Sequence, residues 1–315
     1  MPRISLPLCL FAFLFACLQT KSQDLFETLK KSETVVLLGD SITHAGKFSV
    51  YLDSWLLTHP DLSHPPRLLN VGLPSETVSG LSEEGHAGGK FPRPVLSERL
   101  DRVLEVTRPN LVLACYGMNC GIYLPFDEGR FAAYQRGIHD LRKAVTAQGS
   151  QLIHATPACY DDVLGKKDFS YNEVLGHYSK WLVDQRSHGW MVVDLHTPMT
   201  RELNLQRTKD PKFTFQPDAV HPNEEGHWFI ARQWMIALGD TKAAQWQSPK
   251  EYLDARKLSP DTIALIEQRM KVLRDSYLAT AGHQRPGMPK GLSIQEALQQ
   301  AEQLTQQIHA KLSQR

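Results

Sequence analysis

Five short apolar runs, separated by longer stretches of helical apolar period, limit what this chain can fold into more than any other feature. The runs are Thr34–Leu38, Arg67–Val71, Leu111–Ala114, Leu152–Thr156 and Met191–Asp194. Between and after them, apolar residues recur at helical spacing over Lys47–Thr58, Val95–Thr107, Glu128–Gln148, Tyr171–Arg186 and Asn223–Leu238, the last through Phe229, Ile230, Trp234 and Leu238. Runs so uniformly apolar suit strands covered on both faces. Strands joined by helices lie parallel, through right-handed crossovers. The expected fold is therefore α/β: a three-layer α/β/α domain around a central parallel sheet of about five strands. Sheets of this kind collect ligands at the carboxyl ends of their strands.

From about Thr241 the pattern changes and no strand run remains. Ser259-Pro260-Asp261 combines an N-cap, a first-turn proline and an acid, and Ile263, Ile266, Met270, Leu273 and Tyr277 then mark one helical face. Gly282–Gly291 is a Gly/Pro-rich break. Ser293 to Glu296 forms a capping box before a second helix striped by Leu298, Ala301, Leu304 and Ile308. Residues 241–315 thus read as a helical extension to a domain spanning 23–240. Two roles fit it: a homodimer contact, or a tail folded back on its own domain.

At the other end, Arg3 precedes the apolar run Leu6–Leu18, shorter than the ~20 residues a spanning helix needs. A basic start, a short apolar core and polar residues immediately after mark residues 1–22 as a secretory signal peptide. Leu14-Phe15-Ala16-Cys17 also resembles a lipoprotein signal, in which Cys17 would carry a lipid anchor. Either reading places the protein outside the cytoplasm, periplasmic or extracellular, with no membrane span. The formal net charge of +1, with both signs interspersed, gives no reason to expect a nucleic-acid partner. Beyond the leader remain Cys115, Cys120 and Cys159, whose spacing matches no zinc ribbon or finger. Adjacent parallel strands lie ~4.8 Å apart. Loops leaving the third and fourth strands are therefore expected to bring Cys120 and Cys159 within disulfide reach, with Cys115 as the buried thiol. The alternative is three buried thiols acting as small hydrophobes.

The chemistry is concentrated in two places. Gly39-Asp40-Ser41-Ile42-Thr43 follows Val35–Leu38, so a buried strand delivers a serine to its carboxyl end. Far downstream, Asp218-Ala219-Val220-His221 sets a carboxylate three residues before a histidine. Together these supply a nucleophile, a base and a group to orient the base. Taken alone, Ser41 could equally be a helix N-cap. His221-x-x-Glu224-x-x-His227 is not His-Glu-x-x-His, and no metal or cofactor is expected.

With these residues in hand, the chain resembles the SGNH hydrolases, or GDSL esterases/lipases, over roughly Glu33 to Leu238. Gly39-Asp40-Ser41 matches the nucleophile block, Gly117-Met118-Asn119 the Gly-x-Asn block, and Asp218-x-x-His221 the last block. There is no Gly-x-Ser-x-Gly, which argues against an α/β-hydrolase elbow. The resemblance implies an SGNH/flavodoxin-like sheet, catalytic Ser41, Asp218 and His221, and an oxyanion hole made by the Ser41 amide, the Asn119 side chain and a backbone amide of the second block. That block normally ends Ser-Gly-x-Thr; here Asn70-Val71-Gly72-Leu73-Pro74-Ser75-Glu76-Thr77 puts Ser75 in the glycine's place. The role needs only an N–H, which serine has, and Gly72 is the fallback. Ser79–Pro94 reads as a rim or lid over the site, the alternative being a plain surface excursion, with His86 and Arg93, and Asp40 beside the nucleophile, as candidate substrate contacts. For an exported member lacking a long apolar lid helix, the implied function is hydrolysis of small acyl esters, such as acetyl, on carbohydrate. The alternatives are a lipase or lysophospholipase, and a non-catalytic glycan-binding protein on a degenerate scaffold.

Overall fold

Residues 25–314 are described by a computed structural model; the expected signal peptide over 1–22 and the anchor at Cys17 lie outside the described residues. After a helix at residues 25–31 (α1), strand β1 (Thr34–Gly39) enters the centre of the molecule, and Val35 to Leu38 are completely buried. It is joined by β2 (Arg67–Asn70), β3 (Leu111–Cys115), β4 (Gln151–Ala155) and β5 (Met191–Val193), all parallel, in the order β2-β1-β3-β4-β5. The chain steps outward from β1 to β2, then back across β1 to β3. The strand order therefore reverses beside β1, and the crevice at its carboxyl end is where a ligand belongs.

Helices α2 (Ser41–Ala45) and α3 (Lys47–Thr58) connect β1 to β2; α4 (Leu96–Thr107), α5 (Glu128–Ala147), α6 (Asp162–Gly165) and α7 (Tyr171–Asp184) lie between the later strands. They are followed by α8 (His196–Arg207) and α9 (Glu224–Ala237). Right-handed crossovers put α3 on one face, where α9 packs on it, and α4, α5 and α7 on the other. This is the expected three-layer fold with its five-stranded sheet. The longest helix missed in the sequence is α8, which buries only His196, Met199 and Leu203 and has no side-chain cap, so its apolar period is faint.

The C-terminal region is helical as expected: α10 (Pro249–Ala255), α11 (Pro260–Ala281) and α12 (Ile294–Leu312), with the capping box at Ser293 and Glu296 formed. α11 lies along the β2 edge against α3 and α4 and carries α12 on its outer side. Ile266, Met270 and Ile308 close on Val50 of α3, and each such buried aliphatic chain contributes about 2 kcal/mol. Arg269 reaches Asp53 of α3 at 2.8 Å, and Arg274 donates to the carbonyl of His44, near the end of α2, at 2.7 Å.

The expected disulfide does not form: Cys115, Cys120 and Cys159 are all free thiols, and Cys115 is the least buried of them. The two loops leave neighbouring strands but turn apart. Cys120 faces the backbone of Val78 and Ser79, whereas Cys159 faces Gln216, whose Nε2 donates to its sulfur at 3.2 Å. Burial pushes the Cys120 thiol up to about 11 and that of Cys159 up to about 12, and it raises Cys115 as well. None of the three is a thiolate at neutral pH. Ellman's reagent should therefore leave Cys120 and Cys159 unmodified in the folded protein and titrate them only after denaturation; rapid labelling of more than one thiol in the native protein would contradict this burial.

Candidate active site

Two glycines let the chain present its chemistry at the β1–β3 crevice. A Cβ on Gly39 would lie 2.9 Å from the Cys115 carbonyl of β3 and closer still to Thr43, so only glycine lets β1 turn into α2 there. Gly117, just past β3, sits at φ 146° with its Cα against Pro157, and a Cβ would meet that ring at 2.7 Å.

Ser41 is the first residue of α2, whose cap is Asp40, accepting from the Ile42 amide at 3.0 Å. Its Oγ lies 2.8 Å from Nε2 of His221. His221 stands on the loop before α9, the helix capped by Asn223, and its Nδ1 is 2.6 Å from Oδ2 of Asp218. An ionised carboxylate only accepts, so Nδ1 carries the proton and Nε2 is left as the acceptor facing the serine hydroxyl. The other carboxylate oxygen, Oδ1, accepts from the amides of His221 at 2.7 Å and Val220 at 3.0 Å. Partial burial alone would raise the Asp218 carboxyl. The His221 backbone and side-chain hydrogen bonds, with the Val220 amide, outweigh that and hold it below the usual carboxylate range. The carboxylate therefore fixes both the loop and the ring. That loop is tied down from below: buried Asp161 donates its amide to Ala219, and its carboxylate takes the Thr214 hydroxyl at 2.6 Å and Arg207.

The other expected residues fall around this relay. Asn119 is buried, its Nδ2 donating to the Glu76 carbonyl at 3.2 Å while Tyr123 donates to its Oδ1 at 3.0 Å, which fixes the amide orientation. Ser75 adopts φ 69°, a left-handed conformation that favours glycine, the residue the related block has there. Among the described residues, neither the Ser41 nor the Ser75 amide donates a hydrogen bond. The amide of Gly72, the fallback, donates to Asn70 Oδ1 at 3.0 Å.

Asp40 is turned inward beneath α2 rather than toward a substrate. Burial is the main reason its carboxyl is raised to about 6, against the Ile42 amide, which lowers it. A carboxyl raised in the folded state stabilises the fold below its unfolded value, and that stability is lost as pH climbs through about 6. Asp40→Asn keeps the cap and removes the charge. It should gain on the wild type between roughly pH 4 and 6 and plateau above that with an advantage of order 2–3 kcal/mol. Urea unfolding across pH reads this out; an advantage confined to acid pH would contradict it.

The 79–94 loop is closed at its base by the Thr77–Val95 bridge and braced inside by Glu83, which receives Arg93 through Nε and Nη2, both at 2.6 Å. Arg93 is buried, lies over the Tyr123 ring, and points Nη1 at the Ser75 carbonyl at 3.4 Å. His86 pairs with Glu83 at 3.2 Å and packs edge-on against Phe91. Both candidate contacts thus serve the loop's own structure. Glu83 and Asp161 were not anticipated, because their partners are set by tertiary folding and leave no local pattern. The residues of the His221-x-x-Glu224-x-x-His227 spacing diverge: Glu224 accepts from Tyr51 at 2.9 Å and His227 stacks on Phe48.

Residues 37–229 match the GDSL-like lipase/acylhydrolase family, well over half of the chain. The chain belongs to that family. It is accordingly a carboxylic ester hydrolase by family. Among solved structures, a gut microbial diltiazem-metabolizing enzyme, BT4096, superposes with a TM-score of 0.52 at 20% identity, over 66% of this chain and 47% of that one, so the chain spans about half of that relative. Axe2, an acetylxylan esterase from Geobacillus stearothermophilus, gives 0.49 at 18% identity over 66% and 94% of the two chains. The acetyl xylan esterase AlAXEase gives 0.48 at 19% over 65% and 99%. No curated protein matches. Among the described residues no helix is long and apolar enough to cross a membrane.

Proposed function

We propose that this family member is an exported serine esterase that removes small acyl groups, acetyl foremost, from carbohydrate. The observation that carries the reading is the hydrogen-bonded relay Ser41–His221–Asp218 at the carboxyl edge of the sheet. His221 Nε2 takes the Ser41 proton as Oγ attacks the ester carbonyl carbon, and the carbonyl electron pair moves onto oxygen. The Ser41 and Ser75 amides and the second hydrogen of Asn119 Nδ2 receive that oxyanion. Collapse expels the alcohol, which takes the proton from His221. Water, deprotonated by the same nitrogen, then releases the acid and restores Ser41. Asp218 holds the Nδ1–H tautomer throughout and stabilises the imidazolium.

Small, polar substrates suit the rim. The exposed residues of the 79–94 loop are Glu84, Ala87, Lys90, Pro92 and glycines, with one 3-10 turn at His86–Gly89, and its larger apolar side chains, Leu81 and Phe91, are half-buried, so it offers a long acyl chain no continuous apolar face. Export rests on Arg3 and the Leu6–Leu18 run. One observation favours the second reading, a lipase or lysophospholipase. Leu124 after β3, and Val163 and Leu164 after β4, are exposed apolar side chains on two neighbouring rim segments, which Lys167 links by lying 6.0 Å from the Tyr123 ring. A panel of acetylated oligosaccharides, acetyl esters and esters of eight or more carbons separates the two. Acetyl preference supports the proposal; rates that rise with chain length overturn it. A fluorophosphonate that fails to label Ser41 would favour a non-catalytic glycan-binding protein.

A further inference from the structure

We infer that Glu76, clamped by Arg99 and Tyr116, is the positioning residue that builds the oxyanion hole; the inference rests on the esterase reading above. The carboxylate of Glu76 is fully buried, a costly placement unless it is paired and hydrogen-bonded. Here three donors hold it. Arg99 of α4 grips it with Nε at 2.6 Å and Nη2 at 2.7 Å, and the Tyr116 hydroxyl donates to Oε2 at 2.6 Å. Arg99 Nη2 also holds the Val71 carbonyl at 2.9 Å. The Arg99–Glu76 pair thereby joins the chain leaving β2, at Val71 and Glu76 itself, to the chain leaving β3, at Tyr116.

Those two segments carry the hole. Ser75, directly before Glu76, sits at φ 69°, a conformation its own preferences oppose and its neighbours must impose. Asn119, three residues past Tyr116, gives one Nδ2 hydrogen to the Glu76 carbonyl, which leaves the other for the oxyanion. The spacing between the two donors is thus set across Glu76: its backbone anchors Asn119, and its side chain anchors the peptide that follows Ser75. Catalysis is sensitive to this spacing because the donors must meet an oxygen that exists only transiently.

Glu76→Ala would strand the Arg99 guanidinium and risks unfolding, so the decisive variant is Tyr116→Phe, which removes one hydrogen bond and leaves the ion pair. Expected is a kcat lowered roughly 10- to 100-fold with KM within about twofold. The affinity for a trifluoromethyl ketone should fall by the same factor as kcat/KM. That inhibitor bonds its carbonyl carbon to Ser41 Oγ, passes the serine proton to His221 and leaves an oxyanion in the hole. The urea midpoint should change little. Wild-type kcat and inhibitor affinity in Tyr116→Phe would overturn the inference, as would a loss confined to KM or one that follows a lowered urea midpoint. A wild-type protein without esterase activity would instead overturn the reading beneath it.

Discussion

Ser41→Ala should reduce kcat for ester hydrolysis by roughly 10⁴- to 10⁶-fold while leaving the fold intact. The hydroxyl it removes touches His221 Nε2, and that imidazole is half exposed, so water replaces the lost partner at little cost in stability. His221→Ala should be as damaging, because a serine hydroxyl without its base is a poor nucleophile at neutral pH. The double variant should be no worse than either single one, since the two groups act as a unit. Asp218→Asn should cost roughly 10- to 100-fold less than either. Its amide can still offer an oxygen to the Val220 and His221 amides, but its nitrogen cannot accept from Nδ1–H. Kinetics on variants checked by circular dichroism and urea melts would measure all four, and half-maximal activity in Ser41→Ala would end the assignment.

The sequence disclosed the parts that local pattern controls. A buried strand announces itself through Val35–Leu38, and the helix at Lys47–Thr58 has the bounds its apolar period predicts. Strand order then places Ser41 and Asn119 at the same crevice, because one follows β1 and the other follows β3. Hidden in the sequence were contacts between distant segments whose partners have no characteristic spacing. Glu76 and Arg99 lie on a loop and a helix, and nothing in either neighbourhood marks them as a pair. Cys120 and Cys159 misled for the same reason: strand adjacency fixes where two loops begin but not which way they turn, and Gln216 drew one thiol away. The C-terminal helices were readable one at a time from caps and stripes. That Arg274 would reach the carbonyl of His44, three residues past the nucleophile, was not.

Ser75 offers the second large effect, and the variants must separate its N–H from its backbone angle. Ser75→Gly keeps the donor and relieves the positive φ, so activity should stay near wild type and any change in stability should fall within about 1 kcal/mol. Ser75→Ala keeps the donor and an L-residue at φ 69°, and should also retain most activity. Ser75→Pro removes the N–H but also forces φ to about −65°, so its expected loss of at least two to three orders of magnitude mixes two causes. An amide-to-ester exchange at Ser75 isolates the first: φ survives and only the hydrogen goes. If this amide faces the oxyanion, kcat should fall roughly 10²- to 10³-fold, the usual worth of one such donor. The same exchange at Gly72 should affect stability through Asn70, which now accepts that hydrogen at 3.0 Å, and leave kcat nearly unchanged. A large kcat loss at Gly72 with none at Ser75 would reverse the assignment, because it would mean the amide bonded in the resting enzyme is the one released to the transition state.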